Sequence, residues 1–437
     1  MIMISAAVRG VGAGSVPSGG GGGGDTRLLT LNPANSGNPS YYYFDMAATY
    51  EGSWAFPDDV EGFAYTNPVS NMLCNSPNAG RMFVTARTAD GPGTEAMRFC
   101  EVSVPTLYTG TNQSLIPSAT ITDALINIRT GAPVDDDNWG ANGARINGME
   151  VINGKVMFAC IGAYAQDYPA AGGTQYSYLA IDNASNISSS NTKRGFYRSL
   201  DEDTGDLLNA RVAGWITELP DSLKATFGGT HICGGSSGND RSLNSRHSIG
   251  PSLYIYDAND SAAITGNTPP ASGSDIYFKC LANYPLGETT SLTPESLLNA
   301  PGQTWTNLSE AYVGFILEGT YTYAVFGRSG GHDGPSNPSV GYSGGFYPVN
   351  SSDFESHYWL FDFRQHLEVL AGTRDPWDVE CYEHGQIVGR WSTAGSNAWT
   401  GGYFDAVAKR LFLVTAQRDA NNFASVVEQY DLSAVAA

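Results

Sequence analysis

The chain has little lysine. Five residues of its 437 are Lys, and the 23 basic residues stand against 43 Asp and Glu, for a formal charge of −20. Such a surface repels phosphate backbones and anionic headgroups, so neither nucleic acid nor membrane is an expected partner. Charge of any sign is sparse, at 15% of residues, which argues against helical bundles. No apolar run reaches transmembrane length. At the start, MIMISAAVRGVGAGSVPSGGGGGGD, no basic residue precedes the short apolar stretch and Arg9 follows it. No secretory leader is recognised, and the expected location is a virion or another extracellular assembly. The six cysteines (Cys74, Cys100, Cys160, Cys233, Cys280, Cys381) are far apart with no Cys-x-x-Cys pair. Reduced thiols are expected, and zinc gets no support. Neither a phosphate loop nor a dinucleotide fingerprint is present, so no cofactor is implied.

Glycine and tyrosine are abundant, at 52 and 24 residues, as suits short strands joined by tight turns with aromatic loops. Residues 1–24 form a small-residue arm ending in six consecutive glycines. The composition is that of a flexible tether, and the arm is expected to anchor the remainder, 25–437, in a larger assembly. From Asp25 one pattern returns: a turn, a strand of apolar residues, a polar loop, then an aromatic strand closing on an acid. It runs as GRMFVTART with MRFCEV, NGKVMFACIGAY with YSYLAIDN, GGTHICGG with SLYIYDAND, YTYAVFGRSGG with HYWLFDF, and AKRLFLVTAQRD with VVEQYDL. The closing acids are Glu101, Asp182, Asp257, Asp362 and Asp431. Each pair reads as two antiparallel strands of a blade. The intervals are uneven and wide for a single blade, which predicts further blades between the visible ones. The expected fold is all-β: a single β-propeller of six to eight blades, with seven preferred.

SLDEDTGDLL adds local detail. Its D-x-x-T-G-x-L form, Asp201 to Leu207, resembles the hairpin turn of quinoprotein-type propeller blades, with Asp and Thr capping and Gly at positive φ. Asp201, Asp203 and Asp206 crowd together as in a calcium loop. However, Gly205 comes one position early for an EF-hand and no glutamate fills the twelfth position, so no metal is expected there. PDSLKATF and TPESLLNA read as short helical turns, and HYWLFDF and QTWTNLSEAY as aromatic packing between blades.

Two polar loops carry the candidate chemistry. The first follows GGTHICGG and offers His231, Arg241, Arg246 and His247. The second, FGRSGGHDGPSNPSVGYSGGFYP, offers Arg328, His332, Asp333, Tyr342 and Tyr347. If both open on one face, His, Arg and Tyr gather round a central funnel. Arginine can neutralise a uronate carboxylate, and His or Tyr can remove or return a proton in β-elimination. His231, His247, Arg246 and Tyr342 are the candidate catalytic set; Arg241, Arg328, His332, Asp333 and Tyr347 are candidate substrate contacts. The bland reading of His231 is a hydrogen-bonded histidine in a strand. APVDDDNWG reads as a solvated acidic turn, and WDVECYEHG lacks the H-E-x-x-H order of a zinc hydrolase.

The order of inner strand, His, Gly/Ser loop, Arg-His and GPSL strand resembles bacterial seven-bladed propellers. More loosely, it resembles polysaccharide lyases that cleave ulvan, and that resemblance implies His, Tyr and Arg acting on a propeller face. Two functions are therefore expected in outline. One is recognition of a surface glycan by a virion-associated propeller held through residues 1–24. The other is a polysaccharide lyase acting on acidic polysaccharide.

Overall fold

The computed structural model describes short strands at Leu29–Leu31 and Phe44–Met46 and most of the chain between residues 49 and 433. Segments 58–71, 87–97, 128–144, 162–177, 236–249, 259–274, 286–303, 331–337, 341–345, 349–354, 416–424 and several shorter stretches lie outside the described residues, as do 1–28. The arm, APVDDDNWG and TPESLLNA therefore lie outside them.

The described strands form five antiparallel units of four strands, here blades I to V. Blade I contains Leu73–Asn75, Arg81–Ala86, Arg98–Ser103 and an outer edge shared by Thr120–Ile121 and Ile126–Asn127. Blade II contains Arg145–Ile152, Lys155–Ile161, Tyr178–Ile181 and Lys193–Asp201. Blade III contains Ile216–Glu218, His231–Gly235, Ser252–Tyr256 and Asp275–Ala282. Blade IV contains Glu310–Ile316, Thr322–Ser329, Glu355–Asp362 and Cys381–Gln386. Blade V contains Trp399–Asp405, Arg410–Thr415 and Val426–Asp431, and takes its outer strand, Thr49–Ala55, from the other end of the chain.

The first strand of each blade touches the first strand of the next, I to II to III to IV to V and back to I. The ring of described strands therefore closes at five, not at the six to eight expected. All five strand pairs visible in the sequence are the second and third strands of these five blades. The intervals between them hold inner and outer strands, helices and long connections. Two inner strands, Leu73–Asn75 and Ile216–Glu218, are too short to show any period.

Each blade is covered on both faces by its neighbours, so its middle strands are largely buried. Thr322–Ser329 and Ser252–Tyr256 are buried at every position. The aromatic strand HYWLFDF packs as expected, with Tyr358, Trp359, Phe361 and Phe363 buried. Trp359 rests against Trp305, ring centroids 4.5 Å apart, and donates to the Thr304 carbonyl. Where the innermost strand of blade II meets blade III, the backbones approach so closely that a side chain is excluded: a Cβ on Gly148 would fall 2.0 Å from the Gly214 carbonyl oxygen.

The turn chemistry is as read. Asp201 Oδ1 accepts from the amides of Asp203 and Thr204, Thr204 Oγ1 accepts from Asp206 N, and Gly205 has φ +74°. PDSLKATF forms a helix, Asp221–Phe227. A second helix, Phe363–Leu370, was not foreseen. Its N-cap is Asp362, one of the closing acids, whose Oδ1 accepts from Arg364 N. Five described cysteines are free thiols, and burial pushes Cys100 up to about 12.

One buried group works against the fold. Glu150 lies on the innermost strand of blade II, with one oxygen receiving the Val151 amide and the Tyr403 hydroxyl. Burial, aided by Asp405 and Glu218, pushes its carboxyl from 4.5 up to about 8. A carboxyl raised in the folded state contributes most below pH 4.5 and progressively less up to about pH 8. Glu150→Gln removes this dependence. Equilibrium denaturation should find the variant equal to or less stable than the parent near pH 5 and more stable by up to ~4 kcal/mol above pH 8, at 1.36 kcal/mol per unit.

Candidate active site at the loop-bearing end

The two ends of the ring differ. At one end the first and second strands of each blade are joined tightly: through 76–80, through Asn153–Gly154, through the helix Asp221–Phe227, through 317–321 and through 406–409. Asn153 and Gly154 both have positive φ, as a two-residue hairpin turn demands. At the other end the second and third strands are joined by 87–97, 162–177, 236–251, 330–354 and 416–425. The two candidate loops are among these, so both leave the ring at the same end, as the funnel arrangement requires.

Blade IV supplies two sets of polar groups at this end, one on each face. On the face toward blade V, Glu310 begins the innermost strand and pairs across it with Arg328. Arg328 Nε and Nη2 donate to Glu310 Oε2 at 2.8 and 2.7 Å, and the Tyr312 hydroxyl donates to the same oxygen. Beneath them Ser309 and Ser329 share a hydrogen bond of 2.7 Å. Glu310 and Arg328 are both buried. Arg328 is therefore already engaged as the partner of a carboxylate, which sets where the ends of strand and loop stand.

On the face toward blade III, Glu355 and His357 begin the third strand, and His384 lies on the outer strand opposite Trp359. His357 Nδ1 is 2.9 Å from Glu355 Oε1, and His357 Nε2 is 3.3 Å from His384 Nδ1. Burial holds both imidazoles below the usual histidine value, with His357 lowered further by its histidine neighbour. His357 is buried and His384 half-buried.

His231 is placed elsewhere. It begins its strand, paired with Glu218 and Tyr256, whereas the loop leaves from Gly235 at the opposite end. That is ~13 Å of strand away. Its Nδ1 lies 3.0 Å from Thr230 Oγ1, and burial lowers it to about 4. Here it is a buried, hydrogen-bonded strand histidine at the tight-turn end. Arg241, Arg246, His247, His332, Asp333 and Tyr342 lie outside the described residues. Tyr347 lies on a short strand, Phe346–Pro348, paired with Pro338–Val340. Sequence reasoning missed Glu310, Tyr312, Glu355 and His357 as polar groups of this end.

A cavity of about 250 Å³ opens at the tight-turn end, between Leu219, Ile316, Phe404 and Val407. The acids on its rim are already paired. Glu218 holds Lys224 at 2.5 Å, and Glu318 faces Lys409 at 3.7 Å. No group of three His, Cys, Asp or Glu arranged to hold a metal occurs among the described residues.

No protein-family model matches the chain, and no curated protein does. Solved structures with related architecture do match. An α-L-arabinanase of Cellvibrio cellulosa, complexed with arabinohexaose, is 11% identical over 85% of this chain and 98% of its own, with a TM-score of 0.37. A glycosyl hydrolase from Bacteroides ovatus is 12% identical over 94% of each chain, with a TM-score of 0.39. An exo-1,5-α-L-arabinanase from a bovine ruminal metagenomic library is 8% identical over 83% of this chain and 93% of its own, at 0.37. All three are carbohydrate-directed enzymes by name. At these scores the likeness carries no assignment of activity, and the propeller rests on the closed ring of strands.

The Glu310–Arg328 pair yields a stability test. Removing one partner leaves a buried charge unmatched, which costs ~3–5 kcal/mol, whereas replacing both with apolar groups costs far less. Denaturant titration should find Glu310→Ala destabilised by about that amount, with much of the loss restored in Glu310→Leu, Arg328→Met.

Proposed function

We propose that the protein recognises a polysaccharide at the loop-bearing end of the ring. The observation that carries this reading is that all five connections between second and third strands, both candidate loops among them, leave the ring at one end, while the other end joins first to second strands by short turns and carries the third-to-fourth connections. A rigid ring that gathers variable loops at one end is the arrangement in which loops bind and the scaffold holds them. The composition of those connections suits a sugar. Tyr164, Tyr168, Tyr342 and Tyr347 offer faces for stacking, and Arg241, Arg246 and Arg418 offer bidentate donors for carboxylate or sulfate. The low lysine content and overall negative charge leave those arginines as local exceptions, favouring an acidic glycan held at a few points.

In this reading residues 1–24 tether the propeller to a larger particle, a virion or other extracellular assembly, and the loop-bearing end meets the surface glycan. A second reading is elimination from acidic polysaccharide. The histidine pair at the foot of 330–354 favours it, because such chemistry needs a neutral imidazole to take a proton.

Binding to a panel of acidic and neutral polysaccharides tests the site. Arg246→Ala with His247→Ala should weaken retention of the bound glycan by about tenfold or more, the cost of a lost charged hydrogen bond. His231→Ala, at the other end, should leave it unchanged. Loss with His231→Ala alone would place recognition at the tight-turn end and overturn the reading. Release of unsaturated uronates, followed by their absorbance, would establish the second reading; binding without release would leave the first.

A further inference from the structure

The contacts of Glu355, His357 and His384 fix which ring nitrogens carry hydrogens. A carboxylate only accepts, so the hydrogen in the 2.9 Å contact belongs to His357 Nδ1. In a neutral ring this leaves His357 Nε2 with a lone pair, which takes the hydrogen of His384 Nδ1 across 3.3 Å. The ring centroids lie 5.5 Å apart with planes inclined by 29°, so the rings meet edge to edge rather than face to face. His384 Nε2, at the far edge, is therefore held without a hydrogen. It has no hydrogen-bond partner among the described residues and is not one of their buried unpaired atoms. His357 packs on Trp359, centroids 4.7 Å apart, which itself packs on Trp305, so the relay stands on a rigid apolar floor.

We propose that Glu355, His357 and His384 form a proton relay that presents His384 Nε2 as the proton acceptor of the loop-bearing end, for a hydroxylated ligand. The ligand's O–H bond breaks as Nε2–H forms on His384. The Nδ1 hydrogen of His384 passes to His357 Nε2, and that of His357 Nδ1 passes to Glu355. Both imidazoles finish neutral, and the negative charge has moved from Glu355 to the ligand oxygen. His384 is the group that meets the ligand; Glu355 and His357 position it and set its tautomer. The assignment goes beyond glycan recognition and does not depend on it, because the relay is fixed by contacts within blade IV.

Nitrogen NMR of the full chain carrying isotope-labelled histidine tests the tautomers, and peptide mapping after diethyl pyrocarbonate tests the reactivity. Diethyl pyrocarbonate acylates an unprotonated ring nitrogen that it can reach. The His384 signals, identified by their loss in His384→Ala, should show a protonated Nδ1 and an unprotonated Nε2. His384 should be acylated faster than the buried His231, His357 and His366. Glu355→Gln should slow that acylation on the order of tenfold, the low end of what loss of a carboxylate behind a histidine does at metal centres. The rates at the three buried histidines should not change. A hydrogen on Nε2 of His384, or acylation of His384 no faster than of the buried three, would overturn the relay. If Glu355→Gln does not fold, the tautomer of the parent protein decides alone.

Discussion

Everything in the ring depends on one strand pairing. Thr49–Ala55 lies antiparallel to Val426–Asp431 and completes blade V with residues from the opposite end of the sequence. Glu51 accepts from Arg410 through both oxygens and from Gln429 as well, and Trp391 donates to Ser53 Oγ at 2.9 Å. Trp54 on the same strand is fully buried against blade I. Without this strand blade V would present an unpaired edge, and the contact from blade V to blade I would have no outer support. The cost is a loop spanning almost the whole chain, which has to be closed before the pairing gives any return.

Close backbone approach also shapes these strands. Between blades II and III a Cβ on Gly148 would fall 2.0 Å from the Gly214 carbonyl oxygen. Within a blade, Gly214 and Gly327 face the carbonyls of Gly234 and Glu310 on the neighbouring strand, at 2.3 and 1.8 Å from such a Cβ. Many polar groups lie at the ends of the strands. There they cap turns, as Asp201, Asp362 and Asp405 do, or pair with one another, as Glu310 and Arg328 do. Others are buried part-way along a strand, as Glu101, Glu150 and Glu428 are.

How much was legible in the sequence follows from the same geometry. The middle strands announce themselves because both of their faces are buried, and of the acids that close them Asp362 and Asp431 cap turns, each accepting from an amide two residues on. The blade number was not legible. Leu73–Asn75 and Ile216–Glu218 are three residues each, and 330–354 and 363–380 look long enough to hide blades. His231 stood out beside a polar loop, yet it begins a five-residue strand and the loop leaves from the far end, so the bounds of that short strand decide where the histidine lies. Arg328 was visible, but its partner Glu310 is apparent only when the two strands are paired. His357 and His384 are separated by a helix and an outer strand, and they lay in segments that read as aromatic filler and as a failed zinc motif.

The joint between blades II and III differs from the other four. Lys193–Asp201 leaves its own blade part-way along, and its last four residues pair in parallel with Asp275–Phe278 of blade III. Two blades thus become one continuous eight-stranded sheet. Blades V and I are also joined through the main chain, where Ser53 and Tyr108 exchange two hydrogen bonds and Ala55 bonds to Pro117 and Ala119. The other joints rest mainly on side-chain packing, which can slide or part. A pulling force or a local opening that separates blades at those joints therefore releases II with III, and V with I, each as a single unit.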